Sequence, residues 1–467
     1  MKTPSAHTLR TWRQLLFLGM AGAWPAATTA ASAGATAPNI VFILFDDLGY
    51  ADLGCYGAKD IRTPHIDRLA REGVKLDNFY ANAPVCTPTR CAFITGRWQQ
   101  RTGLEFAMGF AGEQMRKVGG QWVKEPDIHG LGLPTTQPSI AKFLRAAGHA
   151  TGAFGKWHLG YKDEYNPTRH GFDEYFGELL GHADYYRHAY YDGTYALRDG
   201  LEPVKHPGRY LTDLLNERAV AFVRKHARRP FFLYVPHLAV HAPWQVPDRP
   251  QTPLVTKETM YDGTRADYAA MIERVDAGVG MILAELDRQG IARNTLVVVS
   301  SDNGGERLSD NRPLFNHKAT LWEGGIRVPC VLRWPDVLPA GVTRRQMGIT
   351  MDLTATFLAA AGARLPADYR PDGIDLRPIL TGQAAERERT FFWRLDRSNR
   401  RQWAVRHGQW KYLNDGNTMD LLYDLEADIG ERRSLTYVHP ELVRDLKARL
   451  KAWQEEMDAS EREFVVR

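Results

Sequence analysis

Cysteine is scarce in this chain, which contains 4 cysteines among 467 residues. So few cysteines exclude the disulfide-rich scaffolds that small secreted domains use. Neither sign of charge dominates, because 60 basic residues stand against 55 acidic ones and the formal net charge is +5. A balance this even is not typical of nucleic-acid-binding proteins, so we expect no nucleic acid among the partners.

Long hydrophobic runs are also missing after residue 37, where no segment is apolar enough to span a membrane. Internal repeats and low-complexity tracts are missing as well. The composition is 44% hydrophobic and 25% charged, which is typical of a globular protein and excludes intrinsic disorder, collagen and coiled coil. At roughly 100–200 residues per domain, the length predicts two or three domains.

The first 33 residues are predicted to be a signal peptide. Lys2, Arg10 and Arg13 form a basic segment, an apolar stretch follows at residues 15–24, and small residues at 26–37 offer cleavage sites. This order is typical of secretory signals. A membrane anchor is the alternative, but the apolar stretch falls well short of the roughly 20 residues that cross a bilayer. We therefore expect an exported protein, periplasmic or secreted, with no stable membrane span.

Three apolar runs predict the central strands of a parallel sheet, at residues 39–45, 231–235 and 295–300. Each run is apolar on both faces, which is typical of strands buried on both sides. Helices are predicted between them at residues 138–147 and 265–289, where apolar side chains recur at helical spacing and a glycine follows. Strands that alternate with helices indicate an α/β sheet covered on both faces.

The character of the chain changes near residue 390. Short aromatic-rich runs there are typical of antiparallel strands, at residues 391–393, 403–406 and 410–412. A polar helix is predicted to follow at residues 440–457. We therefore predict a smaller C-terminal α+β subdomain, an antiparallel sheet plus a helix, over residues 390–467, with a linker near residues 380–389.

Polar residues follow each of the predicted central strands. Asp46 and Asp47 follow the first strand, Asp302 and Asn303 follow the last, and His241 lies just beyond the middle one. Ligands of open α/β sheets bind at this end of the strands. Carboxylate and amide oxygens are hard ligands, suited to Ca²⁺ or Mg²⁺ rather than zinc. The alternative is that each pair is a turn or a helix cap, which Asp and Asn also favour.

Cys86 stands in an unusual context, the run PVCTPTRCAFITGR at residues 84–97. Pro88 follows two residues later, and Arg90 follows four residues later, which is one turn of a helix. This arrangement predicts a nucleophile at the N-terminus of a helix. The alternative is a small buried hydrophobic side chain. Cys91 lacks this context, and we expect it to be structural.

Several motifs, taken in order, resemble those of the sulfatase family. Residues 84–96 resemble the modification signature Cys-x-Pro-x-Arg, and residues 148–158 resemble the second signature, which ends in Gly-Lys-x-His. Asp46-Asp47, residues 237–243, Asp302-Asn303-Gly304, and His317-Lys318 followed by Glu323-Gly324-Gly325 complete the set. The resemblance covers nearly all of the chain after the signal. The branch it resembles most is that of arylsulfatase A and N-acetylgalactosamine-6-sulfatase.

This resemblance implies a fold and a reaction. The fold would be an alkaline-phosphatase-like mixed sheet sandwiched by helices, with residues 38–385 as the catalytic domain. The reaction would be hydrolysis of a sulfate monoester, from a sulfated sugar or glycan, with aryl sulfates as artificial substrates. A maturation enzyme would convert Cys86 to formylglycine (3-oxoalanine), which acts as its aldehyde hydrate. One Ca²⁺ would be held by a hydrate oxygen of residue 86 and by the strand-end residues Asp46, Asp47, Asp302 and Asn303.

The resemblance also implies catalytic roles. His241 would be the general acid for the leaving alkoxide. Lys318 would place a fixed positive charge near the sulfate. His158 would take a proton from the second hydroxyl of the hydrate as sulfate is released. Arg90 and Lys156 would hold the hydrate and neutralise the carboxylate cluster.

Substrate selection is predicted to lie in residues 178–200, where family members differ. We expect His182 and Arg187 there, together with Trp244, to bind substrate; the alternative is that these side chains pack against the subdomain.

Two rival functions stay open. One is a phosphonate or phosphate ester hydrolase on the same scaffold, and the other is an inactive glycan-binding protein.

Overall fold

The computed structural model describes residues 37–109, 114–127, 129–250, 255–397, 400–416 and 418–467. The predicted signal peptide, residues 1–33, lies outside the described residues. Residues 37–467 form one unit by their internal contacts. In these described ranges, no helix combines the length and the apolar character that crossing a membrane requires.

The described residues form strands β1 to β19 and helices α1 to α9. The strands are β1 (Asn39–Phe45), β2 (Val74–Leu76), β3 (Phe79–Tyr80), β4 (Gln114–Val118), β5 (Gln121–Lys124), β6 (Ala150–Phe154), β7 (Glu174–Glu178), β8 (Leu197–Asp199), β9 (Glu202–Pro203), β10 (Phe231–Pro236), β11 (Thr295–Ser301), β12 (Cys330–Arg333), β13 (Val342–Arg344), β14 (Gly348–Ile349), β15 (Thr390–Arg397), β16 (Arg400–His407), β17 (Trp410–Asp415), β18 (Met419–Asp424) and β19 (Phe464–Val466). The helices are α1 (Pro64–Arg71), α2 (Cys86–Thr95), α3 (Ile140–Ala146), α4 (Leu211–His226), α5 (Arg265–Arg288), α6 (Glu323–Ile326), α7 (Thr350–Ala360), α8 (Arg377–Leu380) and α9 (Pro440–Ala459).

The central sheet has the strand order β13-β2-β12-β11-β1-β10-β6-β7-β8-β9. Its middle five strands, from β11 to β7, are parallel. Antiparallel pairs flank them, β11 with β12 on one side and β7 with β8 on the other. The sheet is therefore mixed, as predicted.

Both faces of the sheet are covered by helices. Along β1, Val41, Ile43 and Phe45 pack into one core with side chains of α4 and α5. The alternate residues Phe42 and Leu44 pack into a second core with side chains of α2, α3 and α7. This burial on both sides is why the strand is apolar throughout.

The predicted helices differ from the observed ones at their ends. Helix α3 begins two residues later than predicted, after Ser139 as N-cap. Helix α5 begins at Arg265 because Thr264 and Asp267 form a reciprocal capping box before it. It ends at Arg288, one residue earlier than predicted.

The C-terminal region forms a four-stranded antiparallel sheet, β15-β16-β17-β18, with α9 packed on it. Its core also includes Val85 and Cys86, and the indole N–H of Trp393 donates to the carbonyl oxygen of Ala81 at 2.9 Å. The sheet has one strand more than predicted, β18, and α9 extends to Ala459. The predicted linker falls between the end of α8 and the start of β15; the division into two folding domains stays a prediction.

Candidate active site

The parallel pairing of β1 and β11 brings four of the predicted ligands together. Phe45 pairs with Ser301 at the carboxyl ends of these strands, so the residues that follow meet at one edge. The side-chain amide of Asn303 donates to Asp47 Oδ1 at 2.7 Å. The backbone N–H of Asp47 donates to Asp302 Oδ1 at 3.4 Å. These residues and Asp46 are all buried.

The chemistry of this cluster fits a divalent cation. Asp46 Oδ1 and Asn303 Oδ1 are buried and lack a hydrogen-bond partner in the described part of the chain, although buried polar atoms normally have one. Ligand atoms of Asp46, Cys86 and Asp302 lie within 4.8 Å of one another. All of these donors except the Cys86 thiol are hard oxygens, which suit Ca²⁺ or Mg²⁺.

The carboxyl groups of the cluster titrate far from their ordinary range. Burial raises the pKa of Asp47 to about 7, and Asp46 adds to the rise while Lys318 opposes it. Burial also raises the pKa of Asp302. At Asp46 the effect of burial is outweighed by Lys156 and then Arg90, so its pKa lies below the ordinary value. Bound positive charge at this site would favour the ionised form of all three.

Arg90 and Lys156 contact the same carboxylates. The Arg90 guanidinium donates to Asp302 Oδ2 and to Asp46 Oδ2, both at 2.9 Å, and to the carbonyl oxygen of Lys156 at 2.8 Å. The Lys156 ammonium contacts Asp46 as well. Arg90 lies one helical turn after Cys86, which is the first residue of α2, as predicted.

Cys86 is only 3% exposed. Burial raises the pKa of its thiol to about 11, although Lys156 opposes the rise. The thiol is therefore protonated at neutral pH, and a protonated thiol is a poor nucleophile. Cys91, as expected, is buried in the same helix and contacts Thr102.

Two histidines lie at the ends of neighbouring strands. His158 Nε2 donates to the carbonyl oxygen of Met108 at 3.0 Å, and its Nδ1 is buried without a partner among the described residues. His241 Nδ1 donates to the carbonyl oxygen of Ala242 at 2.6 Å, which leaves Nε2 3.8 Å from Asp47 Oδ2. Burial lowers the pKa of both rings well below 6.5, so both are neutral at pH 7.

Lys318 approaches the cluster on the Asp47 side, with Nζ 2.7 Å from Asp47 Oδ2. Asp47 (φ 62°) and His158 (φ 56°) have left-handed backbone conformations, and so do Asn316 (φ 66°) and Ala319 (φ 62°), which flank Lys318. Such conformations are uncommon for residues other than glycine and cluster at functional sites. The motif pattern indicated these side chains, but it carried no signal of this backbone strain.

His182 and Arg187 were predicted to bind substrate. His182 follows Gly181, where an added Cβ would lie 2.7 Å from the His158 ring, so this stretch passes beside the site. The His182 ring stacks on Tyr191 with centroids 4.6 Å apart. Arg187 is half-buried. Their substrate roles stay predictions.

Trp244, the third predicted substrate residue, is 3% exposed. Its indole N–H donates to the carbonyl oxygen of Val240 at 3.1 Å, and its ring lies 6.1 Å from that of Tyr261. The alternative of a packing role agrees with this burial, and the substrate role stays a prediction.

Glu178 is a residue that the motifs did not indicate. It ends β7, next to β6, and both of its carboxyl oxygens are buried without a partner among the described residues. Burial raises its pKa to about 8, while Lys156 and Arg90 oppose the rise. Glu178 is the first residue of the stretch 178–200 where substrate selection is predicted, and no pattern in the segment EYFGE distinguishes it from Glu174.

Known proteins resemble this chain in sequence and in fold. The Sulfatase family model matches residues 38–363, and the model described as N-sulphoglucosamine sulphohydrolase, C-terminal, matches residues 313–457. The chain belongs to the sulfatase family. This sulfatase is 34% identical to N-acetylgalactosamine-6-sulfatase of Canis lupus familiaris, over 86% of this chain and 75% of that protein. It is 32% identical to steryl-sulfatase of Mus musculus, over 85% of this chain and 78% of that protein.

Solved structures agree. The sulfatase shares 32% identity and a TM-score of 0.79 with Ps i-CgsB in complex with k-i-k-neocarrahexaose, over 90% of this chain and 93% of that one. The fold is also shared by the phosphonate monoester hydrolase of Agrobacterium radiobacter. Its TM-score is 0.63 at 19% identity, over 90% of this chain and 96% of that one. The predicted family, the mixed α/β fold and the enzyme class are confirmed: this sulfatase is a sulfuric ester hydrolase.

Proposed function

We propose that this sulfatase removes sulfate from a sulfated carbohydrate, with formylglycine at position 86 and a Ca²⁺ at the strand-end cluster. The observation that carries the proposal is the buried cluster itself, in which Asp46 Oδ1 and Asn303 Oδ1 have no hydrogen-bond partner among the described residues. The carbohydrate is supported by the names of the relatives, an N-acetylgalactosamine-6-sulfatase and a neocarrahexaose complex.

Asp46, Asp47, Asp302 and Asn303 would hold the Ca²⁺, together with an oxygen on residue 86. When bound, Ca²⁺ supplies Lewis-acid polarisation of a sulfate oxygen. The three carboxylates are balanced by the cations of Arg90, Lys156 and Lys318. A divalent ion therefore makes the site positive, which favours an anionic ester.

Residue 86 fits an oxygen group better than it fits a thiol. The buried Cys86 thiol is protonated at neutral pH, and sulfur is a soft donor in an otherwise hard set. Formylglycine, as its hydrate, supplies an oxygen nucleophile at this position. Its formation requires a maturation enzyme, either the formylglycine-generating or the anaerobic type, as a partner of the chain.

The chain's own side chains supply the proton transfers. His158 accepts a proton at Nδ1, because its Nε2 is already committed to Met108. Lys318 orients the ester oxygen. His241 would act as the general acid from Nε2, the nitrogen that faces Asp47. Because the N–H of the neutral ring is at Nδ1, bonded to Ala242, Nε2 must first take a proton from solvent, which it then gives to the leaving oxygen. Arg90 and Lys156 hold the carboxylates and position 86.

We also propose export to the periplasm or outside the cell, after removal of residues 1–33. The basic and apolar segments of that stretch support this.

The test is a pair of measurements on protein purified from its native host. Mass spectrometry of the tryptic peptide spanning residues 76–90 should find an aldehyde in place of the Cys86 thiol. The same protein should hydrolyse 4-nitrophenyl sulfate far faster than 4-nitrophenyl phosphate, and Cys86→Ala should abolish turnover while keeping the fold. A fully modified protein that prefers the phosphate ester would favour the phosphate or phosphonate hydrolase instead.

A further inference from the structure

A cavity of about 990 Å³ has His317, the residue before Lys318, in its lining. Two chain segments line it: residues 57–60 with Arg265, and a loop between Glu306 and His317. Small-molecule sites range over roughly 300–1,000 Å³. A cavity at the top of that range leaves room for more of a substrate than the sulfate group alone.

The loop that lines the cavity joins two predicted site residues. It begins after Asn303 and ends at Lys318, whose backbone N–H donates to the carbonyl oxygen of Gly305 at 3.1 Å. The Lys318 ammonium then contacts Asp47, while its neighbour His317 lines the cavity. Adjacent residues of one loop therefore reach the cavity and the carboxylate cluster.

Four cationic side chains line the cavity, those of Lys59, Arg265, Arg307 and Arg312. They differ in whether a carboxylate pairs with them. Arg265 pairs with Asp60 at 2.8 Å, and Arg312 pairs with Asp310 at 2.6 Å. These two cations are already neutralised by carboxylates that line the same cavity. They are poor candidates for binding a ligand.

Lys59 and Arg307 are different. Both are exposed, and in the described part of the chain neither has a carboxylate within 4.0 Å. The remaining lining carboxylate, Glu306, forms no ion pair within 4.0 Å with either of them among the described residues. Two cations of the cavity are thus free to bind an anion.

Arg307 is held in place by an aromatic ring. Its guanidinium lies over Tyr261, 5.1 Å from the ring centroid, and Tyr261 lies against Trp244. Trp244 donates to the carbonyl oxygen of Val240, the residue before His241. A cation–π contact, an edge-to-face ring contact and a backbone hydrogen bond therefore connect Arg307 to the residue before the predicted general acid.

We propose that this cavity binds the part of the substrate next to the reacting ester, and that Lys59 and Arg307 bind a second anionic group there. The preferred substrate is then a polyanionic oligosaccharide rather than a single sulfated sugar. This inference rests on the proposed function and deepens it.

The test uses a short dextran sulfate oligosaccharide as probe, with neutral dextran of the same length as the ligand control. The Kd for this probe is measured by calorimetry on the full mature enzyme, and the Michaelis constant KM for the small substrate 4-nitrophenyl sulfate is measured in parallel. The variant is Lys59→Gln/Arg307→Gln. The matched control is Arg364→Gln, since Arg364 is exposed and does not line the cavity.

We expect the double variant to raise the ratio of the Kd for dextran sulfate to the KM for 4-nitrophenyl sulfate about tenfold, because charge-assisted contacts to the probe are lost. Arg364→Gln should leave this ratio unchanged. Neutral dextran should not bind. An unchanged ratio in the double variant, or equal binding of neutral dextran, would overturn the inference. Calorimetry needs no turnover, so an enzyme that binds the probe as expected but fails on every sulfate ester would contradict the proposed function alone.

Discussion

At the scale of single residues, Arg90 connects three parts of the active site. Its guanidinium bonds Asp46, Asp302 and the backbone of Lys156. Lysine keeps the charge but cannot reproduce this planar fork. We expect Arg90→Lys to lower the free energy of unfolding by about 2 kcal/mol, because a buried carboxylate oxygen loses its donor. Urea denaturation measures this, with Arg364→Lys as the exposed control; equal midpoints for both variants would contradict it.

His241 gives a prediction about the leaving group. A general acid matters most when the leaving oxygen is basic, and it contributes about 10²–10⁴ in rate. His241→Asn should therefore slow a series of phenyl sulfates more strongly as the pKa of the phenol rises. The measurement is the slope of log kcat/KM against that pKa. A slope equal to that of the unmodified enzyme would assign the proton to another group, of which Lys318 is the nearest choice.

Glu178 gives a prediction about pH. Burial raises its pKa in the folded protein from 4.5 to about 8. Between those values the folded state holds a proton that the unfolded state has lost, so this contribution is complete below pH 4.5 and disappears as pH rises through 8. Glu178→Gln should therefore lose less stability than the natural chain between pH 5 and pH 8. Denaturation curves at four pH values test this, with the exposed Glu202→Gln as control. If the free energy of unfolding changed with pH in the same way for Glu178→Gln and for the natural chain, the prediction would be wrong.

At the scale of elements, the ends of β6 and β10 approach closely at Gly155. This residue has φ 137°, and an added Cβ would collide with the carbonyl oxygen of Pro236. We expect Gly155→Ala to displace Lys156 and His158, which follow it. It should lower the free energy of unfolding by about 1–3 kcal/mol more than backbone strain alone would.

Gly148→Ala is the matched control for this change. Gly148 also has positive φ, 92°, but an added Cβ there meets no atom within 4 Å. Stability and the rate of 4-nitrophenyl sulfate hydrolysis are measured for both variants. Equal effects at the two positions would show that the contact with Pro236 does not matter.

The sequence predicted the three long central strands and missed a short exposed pair. Strands β1, β10 and β11 each contain a run of at least four apolar residues that is buried on both faces, so their pattern is clear. The exposed hairpin of β4 and β5 has no such pattern. Helix α4 was also missed, although its apolar residues recur at helical spacing.

The site shows the same division. Motif order indicated Asp46, Arg90 and Lys318, because their chemistry is local to short sequence patterns. The buried, unpartnered carboxyl group of Glu178 and the Tyr261–Arg307 contact were not predicted, because they depend on the sheet order and on loop packing.

At the scale of the whole molecule, metal binding should stabilise the fold. The ligands of the cluster follow β1 and β11, strands far apart in sequence, so a cation there joins them. With free Ca²⁺ at 100 times its Kd, the expected gain is about 2.7 kcal/mol. The melting temperature should therefore fall on addition of a chelator and recover with excess Ca²⁺. The melting temperature of Asp302→Asn should change less on these additions. An equal change in the variant and in the natural chain would argue against this site.

The core shared by the C-terminal sheet and Cys86 has a consequence for biosynthesis. Residues 390–457 belong to the core that encloses Cys86, and a ribosome makes them about 300 residues after it. Until they emerge, the thiol of the growing chain is not yet enclosed. The time available for an enzyme to reach it is therefore set by the rate of translation, and a pause late in the message would lengthen it.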